Sequence, residues 1–336
     1  MSKYSPKKKP KTMSLITFNK LFFDNEEACR NFFFNIFHPA GFVCPECGCI
    51  HYRILSTRPH VYQCKHCYHQ VNLFAGTIFQ NNKLPLYTLL LGIFLFVTAH
   101  NGISAEELAN SIDVNRKTAQ LLCRKMRYLM EIDNHCFDLQ SSFLEADCFY
   151  IGGKSHNGKR GLGTDKQTFL MVLATDKENN YPNRFKTVAI ESENKESVLD
   201  FFRKHINYDK DTLLNTDADG AYNIMNERLT HKSQIIDHDE DNQKLYWTHK
   251  IISNIESTIM GIYHGIAKPY IESYVHEYEW RFNHRYKGKT LMLSVSRILS
   301  YKIVMTRKNF KRLFHQSSVS AVSYTHLRAH ETAANL

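Results

Sequence analysis

Long apolar runs, glycine and proline are all scarce in this sequence. The 336-residue chain contains 14 Gly and 8 Pro, and 43% of its residues are hydrophobic against 23% charged, which excludes collagen-like and mainly disordered chains. Its longest uncharged apolar run covers 16 residues, Leu84 to Ala99, whereas a membrane-spanning helix needs roughly 20, so we interpret it as a buried helix. The basic start, MSKYSPKKKPK, has no apolar segment behind it and does not resemble a secretory signal. We therefore expect a cytoplasmic protein with no membrane partner.

Acidic residues are missing from one long, strongly basic segment. Trp280 to Gln316 contains ten Lys and Arg and no Asp or Glu, and the first twelve residues add five Lys. Because the net charge of the whole chain is +10, the region between these two ends is mildly acidic. This distribution favours a polyanion that is bound at the ends of the chain. Solvated lysines that only keep the protein soluble are the alternative.

Four of the nine cysteines show the spacing of metal ligands. They form two pairs, Cys44-x2-Cys47 and Cys64-x2-Cys67, with 16 residues between the pairs. Disulfides are rare in cytoplasmic chains, and each Cys-x2-Cys turn presents two thiolates on one side, so two turns can complete a tetrahedron around Zn²⁺. The sequence therefore predicts a structural zinc ribbon.

A pair of helices is predicted after the ribbon. Ser104 followed by Glu107 forms a capping box at the start of the first, and a polar break at Asp113 to Asn115 precedes a second, basic helix. A helix, a tight turn and a basic helix are typical of helix-turn-helix DNA-binding modules. A plain packing unit is the alternative.

The hydrophobic pattern changes to that of strands from Phe143 onward. Three short apolar runs, FLEADCFYIGG, TFLMVLATD and FKTVAIES, predict an antiparallel meander. A helix, a fourth strand (TLLNTDAD), a second helix (AYNIMNERL), a short strand (SQIIDHD) and two closing helices follow. This order is typical of a ribonuclease H-like domain. The predicted fold class is therefore α/β (α+β) and multidomain, with a zinc ribbon and a helix-turn-helix before a ribonuclease H-like domain.

Three acidic residues occupy special places in this predicted order. Asp147 lies within the first strand, Asp217 ends the fourth, and Glu256 lies near the start of a closing helix. The first and fourth strands are neighbours in such a sheet, so the two aspartates meet and the helix brings the glutamate over them. Three carboxylates around one point suit Mg²⁺, and a pair of such ions supports phosphodiester transfer. Isolated strand-end acids are the alternative, although an acid within a buried strand is costly without a partner.

These motifs resemble those of a known family. The segments EADCFYIGGK, NTDADGAY, ISNIES, GIYHG and YVHEYEWRFNHR are similar to the motifs of bacterial insertion-sequence transposases with a DDE-type catalytic domain, in the group related to Merlin elements. The resemblance runs from about Ser14 to about Tyr286. It implies an enzyme that cuts and joins the DNA ends of its own element with Mg²⁺ (or Mn²⁺), and a nucleoid-associated location.

The resemblance leaves the third catalytic position open. Family members place Glu, Asn or His in this helix, and both Asn254 and Glu256 are candidates here. We favour Glu256, because a carboxylate binds Mg²⁺ better than an amide. The Trp and Lys-Arg pair that many relatives carry before GxYH is missing, which leaves Lys154 and Lys268 as substitutes for the usual auxiliary lysine.

The resemblance also implies the partners and the domain plan. We expect double-stranded DNA as the partner, both the terminal inverted repeats and the target, bound by a homo-oligomer. The predicted DNA contacts are Arg116, Lys117, Arg124, Lys154, Arg281 and Arg285. The predicted boundaries are a basic arm over 1–13, N-terminal helices and zinc ribbon over 14–82, helix-turn-helix over 83–135, catalytic domain over 140–287, basic helix over 288–318 and, over 319–336, a tail that resembles translated sequencing-adapter read-through.

Two other functions remain open from the sequence. One is a non-catalytic zinc-ribbon and helix-turn-helix DNA-binding protein, such as a decayed transposase acting as a regulator. The other is a ribonuclease H-like nuclease acting on RNA–DNA hybrids or junctions, which shares the predicted acids but does not explain the ribbon.

Overall fold

The computed structural model describes residues 12–152, 166–176, 181–233 and 245–304, which form two compact units. The sheet unit comprises Met130–Tyr286 with the short segment His100–Ser104. The ribbon unit includes Lys9–Ala99, Ala105–Leu129 and the chain from Lys287. Lys154, most of the predicted basic arm, residues 305–318 of the predicted basic helix and the whole 319–336 tail lie outside the described residues.

The ribbon unit begins with two capped helices. Helix α1 spans Leu15–Phe22 and helix α2 spans Glu26–Phe37. Their first turns are capped by Ser14 and Asn25, whose side chains accept hydrogen bonds from backbone N–H groups three residues later at 3.1 and 3.0 Å. A three-stranded antiparallel sheet follows, with β1 at Tyr52–Leu55, β2 at Arg58–Cys64 and β3 at Gln70–Asn72.

The apolar run from Leu84 is a buried helix, as predicted. Helix α3 spans Leu86–Thr98, and eight of its residues are buried. Gly92 allows a close approach, because a Cβ atom there would lie 2.7 Å from Cδ2 of Leu122. None of the helices in the described part of the chain combines the length and the apolarity that a membrane-spanning helix needs.

The predicted helix-turn-helix is present in the chain. Helix α4 spans Ala105–Ser111 and helix α5 spans Arg116–His135. Asp113 adopts a positive φ of 51° in the tight turn between them, and Asn115 accepts a 2.9 Å hydrogen bond from the N–H of Lys117 to start α5. Helix α5 belongs to the ribbon unit as far as Leu129 and to the sheet unit from Met130.

The sheet unit has the predicted ribonuclease H-like topology. After the two-residue strand β4 (Leu139–Gln140), strands β5, β6 and β7 form an antiparallel meander, and helix α6 and strand β8 precede strands β9 and β10. The sheet order is β10-β9-β5-β6-β7, with β9 parallel to both β5 and β10, while β8 pairs with β4. The bounds are β5 Phe143–Ile151, β6 Gln167–Asp176, β7 Tyr181–Ile190, α6 Lys195–His205, β8 Ile206–Asn207, β9 Leu213–Thr216 and β10 Thr230–Ser233.

Three elements differ from the sequence prediction. The predicted helix AYNIMNERL is a short 3-10 helix, Gly220–Met225, which begins where Asp219 accepts a 2.7 Å hydrogen bond from the N–H of Ala221. The last predicted strand lies earlier, at β10, and residues 234–239 of it are not described. The predicted basic helix over 288–318 is a short 3-10 turn, Gly288–Thr290, and then helix α9, Leu291–Ser300, which ends because Tyr301 leaves the helical conformation.

Helices cover both faces of the five-stranded sheet. Helix α7 spans Tyr246–Tyr263, and helix α8 spans Ile271–Asn283 directly after the 3-10 turn Lys268–Tyr270. Successive strand residues point to opposite faces, so Leu144 and Ala146 of β5 pack in the core that includes α6, and Phe149 and Ile151 pack in the core of α7 and α8. Asp147 lies on the same face of β5 as Phe149, toward α7.

Candidate active site and zinc site

The register of the sheet places Asp147 beside Asp217. Ala146 of β5 pairs with Thr216 of the parallel strand β9, and the two aspartates are the next residues of their strands. An N–H group of Asp219 donates a 3.2 Å hydrogen bond to Oδ1 of Asp217. Burial raises the pKa of Asp217, and the negative charges of Asp147 and Asp219 raise it further. The two aspartates that the sequence singled out are therefore close enough to repel each other.

A histidine that sequence reasoning missed also contacts this pair. Nε2 of His249, in the first turn of α7, lies 3.2 Å from Oδ2 of Asp147. This hydrogen bond raises the pKa of His249 against the lowering effect of its burial. The signal was present in the sequence, because His249 precedes Glu256 by seven residues and seven residues are two turns of a helix.

A buried hydrogen bond fixes the start of α7 against β5. The hydroxyl of Thr248 donates to Oε2 of Glu145 at 2.6 Å, and both residues are almost fully buried. Burial raises the pKa of Glu145. Glu145 and Asp147 lie on the same face of β5, and Thr248 directly precedes His249. The bond between Thr248 and Glu145 therefore fixes the part of α7 from which His249 contacts Asp147.

The predicted third ligand lies farther along the same helix. Glu256 is exposed and lies seven residues after His249, a rise of about 10 Å on nearly the same helix face. Asn254 lies two positions before Glu256 on a different face of the helix, near the phenol of Tyr278 of α8. In the described part of the chain, Asp147, Asp217 and Glu256 do not bring three ligand atoms within 4.8 Å of one another. The structure thus brings Asp147 and Asp217 together. It places Glu256 two turns of α7 beyond His249, the residue that contacts Asp147.

A fourth carboxylate lies near the aspartates and was also missed. Glu193 lies near Cys148 and Tyr222, whose sulfur and hydroxyl oxygen are 3.7 Å apart. Burial raises the pKa of Glu193, and the negative charges of Asp219 and Asp217 raise it further. Nothing in the sequence distinguishes Glu193 from the acids around it. It lies near Asp217 and Asp219 because of the path of the loop that follows β7, which ends at Ile190.

The cations predicted to contact DNA fall into two groups. On α5, Arg116 and Lys117 are exposed and Arg124 is half-buried, and Nε of Arg116 lies 3.0 Å from a carboxylate oxygen of Glu106. Lys268 is exposed in the turn before α8. These side chains lie where a ligand can reach them.

The two arginines of α8 and its C-terminal turn have internal partners instead. The guanidinium of Arg281 is 9% exposed and lies 2.7 Å from the carboxylate of Glu277. Arg285 donates to the carbonyl groups of Pro182 and Asn183 and lies 3.7 Å from the ring centroid of Phe282. The geometry therefore gives Arg281 and Arg285 structural partners where the sequence predicted DNA contacts.

The four ribbon cysteines converge on one point. Sγ of Cys44 lies 3.5 Å from Sγ of Cys67, and Sγ of Cys47 lies 3.6 Å from Sγ of Cys64. All four sulfur atoms lie within 4.8 Å of one another, and all four thiols are free. Tetrahedral Zn²⁺ with Zn–S bonds of 2.3 Å requires S–S separations of about 3.8 Å. The arrangement fits a structural zinc ion.

Two family models match the chain over these same regions. The model of the ISXO2-like transposase domain matches residues 139–283, and that of the transposase zinc-ribbon domain matches residues 24–70. Together with the ribonuclease H-like sheet, these matches support an insertion-sequence transposase with an N-terminal zinc ribbon.

Solved transposase structures show low overall similarity to this chain. The Mos1 transposase paired-end complex with left transposon end is 8% identical with a TM-score of 0.25, and covers 63% of this chain and 78% of its own. The Mos1 strand transfer complex is 9% identical with a TM-score of 0.24, and covers 65% of this chain and 78% of its own. No curated protein sequence is significantly similar to this chain.

Proposed function

We propose that this transposase cleaves and joins DNA strands at the ends of an insertion sequence in a Mg²⁺-dependent reaction. Asp147, Asp217 and Glu256 would hold the metal, and Mn²⁺ would replace Mg²⁺. The observation that carries the proposal is the parallel register of β5 and β9, which sets Asp147 beside Asp217.

The donor set fits a divalent cation with a preference for oxygen. Asp147 and Asp217 supply carboxylates, and burial together with the neighbouring charges of Asp147 and Asp219 raises the pKa of Asp217. A bound cation relieves such repulsion, and Mg²⁺ takes one or two carboxylates with water and phosphate oxygens. When bound, metal ions of this kind activate the attacking oxygen and stabilise the leaving oxygen of the phosphodiester.

The surrounding residues of the chain orient the two aspartates. His249 hydrogen-bonds to Asp147, and the buried bond between Thr248 and Glu145 holds the start of α7 in place. We assign His249 as a positioning residue for the Asp147 carboxylate. Hydrogen-bond partners of metal ligands orient those ligands, and their loss commonly lowers metal affinity or activity.

The DNA partner is expected to contact the cations of α5. The exposed Arg116 and Lys117 and the half-buried Arg124 follow the tight turn at Asp113, as in a helix that enters the major groove. Phosphate contacts by such cations supply most of the sequence-independent affinity. Terminal inverted repeats and target DNA are the proposed ligands, bound by a homo-oligomer of the chain.

The experiment uses a supercoiled plasmid that carries the gene with its natural flanking DNA on both sides. Purified protein and Mg²⁺ should produce breaks at the element ends, mapped by sequencing the new termini. Asp147→Asn and Asp217→Asn should each lower cleavage at least a hundredfold, because each removes a charge that holds the metal. Asp211→Asn, at an exposed turn of the same unit, is the matched control and should cleave normally.

The outcome also separates the transposase from a non-catalytic DNA-binding protein. Wild-type protein that binds the flanking DNA but leaves it intact in both Mg²⁺ and Mn²⁺ would support the regulator. Cleavage at the wild-type rate by Asp147→Asn or Asp217→Asn would overturn the assigned site.

A further inference from the structure

A second group of potential metal ligands lies within the sheet unit, apart from the aspartates and the ribbon. Glu131 and His135 are four residues apart on α5 and therefore share one helix face, and His276 lies on α8. One ligand atom from each residue lies within 4.8 Å of the other two. The ring centroids of His135 and His276 are 5.3 Å apart.

The imidazole of His276 is buried and has one nitrogen without a hydrogen-bond partner. Its side chain is 1% exposed, and Nδ1 lies 3.4 Å from Oε2 of Glu279. That same oxygen accepts hydrogen bonds from the N–H and the hydroxyl of Thr187 at 3.0 and 2.7 Å, so its position is fixed. Nε2 of His276 is buried and makes no hydrogen bond, and an oxygen of Glu272 lies 3.8 Å away. A carboxylate that orients one nitrogen of a histidine while the other is left for a ligand is the usual arrangement around metal-bound histidines.

The carboxylates around this imidazole also favour a bound cation. Glu131 belongs to the same group of ligand atoms, and oxygens of Glu279 and Glu272 lie 3.4 and 3.8 Å from the two ring nitrogens of His276. Buried charges in proteins are either paired or bound to metal ions. Protons shared among these groups are the competing way to balance them.

We propose that Glu131, His135 and His276 bind a divalent transition-metal ion, with Glu272 as the fourth ligand. Two imidazole nitrogens and carboxylate oxygens are a donor set that suits Zn²⁺ and disfavours Mg²⁺. The ion would join the last turn of α5 to α8 inside the sheet unit. This site is independent of both the ribbon and the proposed catalytic metal site.

The test counts zinc by mass spectrometry in the purified full-length protein after incubation with Zn²⁺ and dialysis. All samples carry Asp147→Asn, so that zinc in the catalytic site is not counted. We expect two zinc ions per chain in this background, one after adding His276→Gln, and one after adding Cys44→Ser and Cys64→Ser instead. The matched control is His205→Gln, whose half-buried ring lies 5.6 Å from that of His135 but is not part of the group. It should keep two.

A zinc count of one in the Asp147→Asn protein, or a count of two that His276→Gln does not change, would overturn the proposal and support the shared-proton network. If His276→Gln does not fold, Co²⁺ added to the protein with Cys44→Ser and Cys64→Ser decides the question. Visible Co²⁺ absorption bands without thiolate charge transfer are expected there, and Glu131→Gln should remove them. No Co²⁺ binding by the protein with intact Glu131 and His276 would equally contradict the site.

Discussion

Nε2 of His249 lies 3.2 Å from Oδ2 of Asp147, so the first turn of α7 contacts the acid in the middle of the central strand. The contact depends on the helix beginning at Tyr246 and on Thr248 bonding to Glu145 one residue before. A strand acid in an otherwise apolar core thereby gains a partner that fixes its orientation.

Replacing His249 should slow cleavage without weakening DNA binding. His249→Ala removes the hydrogen bond that orients Asp147, and losing such a partner of a metal ligand commonly lowers activity or metal affinity by 10- to 100-fold. We expect a rate reduction of about that size at saturating Mg²⁺, with the Mg²⁺ concentration for half-maximal rate also raised. His264→Asn, at the exposed end of the same helix, is the control. Equal rates for both variants would remove His249 from the site.

Removing the hydroxyl of Thr248 should destabilise the sheet unit. Thr248→Val keeps the side-chain shape but leaves the buried carboxyl of Glu145 without its 2.6 Å hydrogen bond. A buried polar group that loses its partner costs about 1–3 kcal/mol. Denaturant unfolding at pH 7 should show a loss of this size, whereas Ser257→Ala, on the exposed side of α7, should change stability by less than about 0.5 kcal/mol.

The sheet could be predicted because its strands are short apolar runs separated by polar turns. The runs that contain Asp147 and Asp217 form the strands β5 and β9, which are neighbours in the sheet as predicted, and the structure shows that they are parallel. The ribbon could be predicted because Cys-x2-Cys spacing is local chemistry. In both cases the signal is local, since each strand and each Cys-x2-Cys pair is recognised within about ten residues.

Side-chain partners from distant segments could not be predicted in the same way. The sequence placed Glu256 near the start of its helix, whereas the helix begins ten residues earlier, at Tyr246, and its first turns bury Thr248 and Ile251. Arg281 lies in a basic segment and was therefore predicted to contact DNA, but its guanidinium is buried and pairs with Glu277. Such pairings depend on burial, which charge counting along the chain does not reveal.

Lys125 should make the stability of the ribbon unit depend on alkaline pH. Burial lowers the pKa of Lys125 from 10.5 to about 8, and its Nζ lies 5.4 Å from the ring centroid of Phe79. The unfolded chain therefore binds more protons than the folded one between pH 8 and 10.5, and stability rises with pH through this window. Below pH 8 Lys125 is charged in both the folded and the unfolded chain, so burying it lowers the free energy of unfolding by its full amount.

Lys125→Met should accordingly be more stable than the wild type at pH 7, by about 1–3 kcal/mol, and the difference should shrink toward pH 10. Unfolding by denaturant at pH 7, 8.5 and 10 measures it. Lys117→Met, at an exposed position on the same helix, should change stability by less than about 0.5 kcal/mol. A Lys125→Met advantage that stays constant with pH would contradict the titration of this lysine.

Loss of one ribbon cysteine should unfold the ribbon and leave the sheet unit folded. Cys64→Ser removes a sulfur that lies 3.6 Å from that of Cys47, and structural zinc contributes about 10–16 kcal/mol of apparent folding free energy in small modules. We expect one zinc ion fewer per chain and loss of binding to the flanking DNA. Cys49→Ser is the control, since its sulfur contacts the carbonyl oxygen of His51 and is outside the group of four. An unchanged zinc count in Cys64→Ser would rule out the ribbon site.

The third ligand can be decided by comparing Glu256→Gln with Asn254→Ala. The two residues are two positions apart on α7 and point about 200° away from each other, so only one can face the aspartates. Glu256 lies on nearly the same helix face as His249, which contacts Asp147, whereas Asn254 lies on another face, near the phenol of Tyr278. Glu256→Gln should therefore keep DNA binding and lose nearly all cleavage, because an amide carries no charge to hold Mg²⁺.

Asn254→Ala should instead remove only an exposed polar side chain, should change stability by less than about 0.5 kcal/mol, and should cleave within a few-fold of the wild-type rate. Cleavage rates over a range of Mg²⁺ concentrations separate the two roles, because a lost ligand shifts the Mg²⁺ dependence and the loss of an exposed side chain does not. Near-normal cleavage by Glu256→Gln together with a deep loss in Asn254→Ala would make the asparagine the ligand.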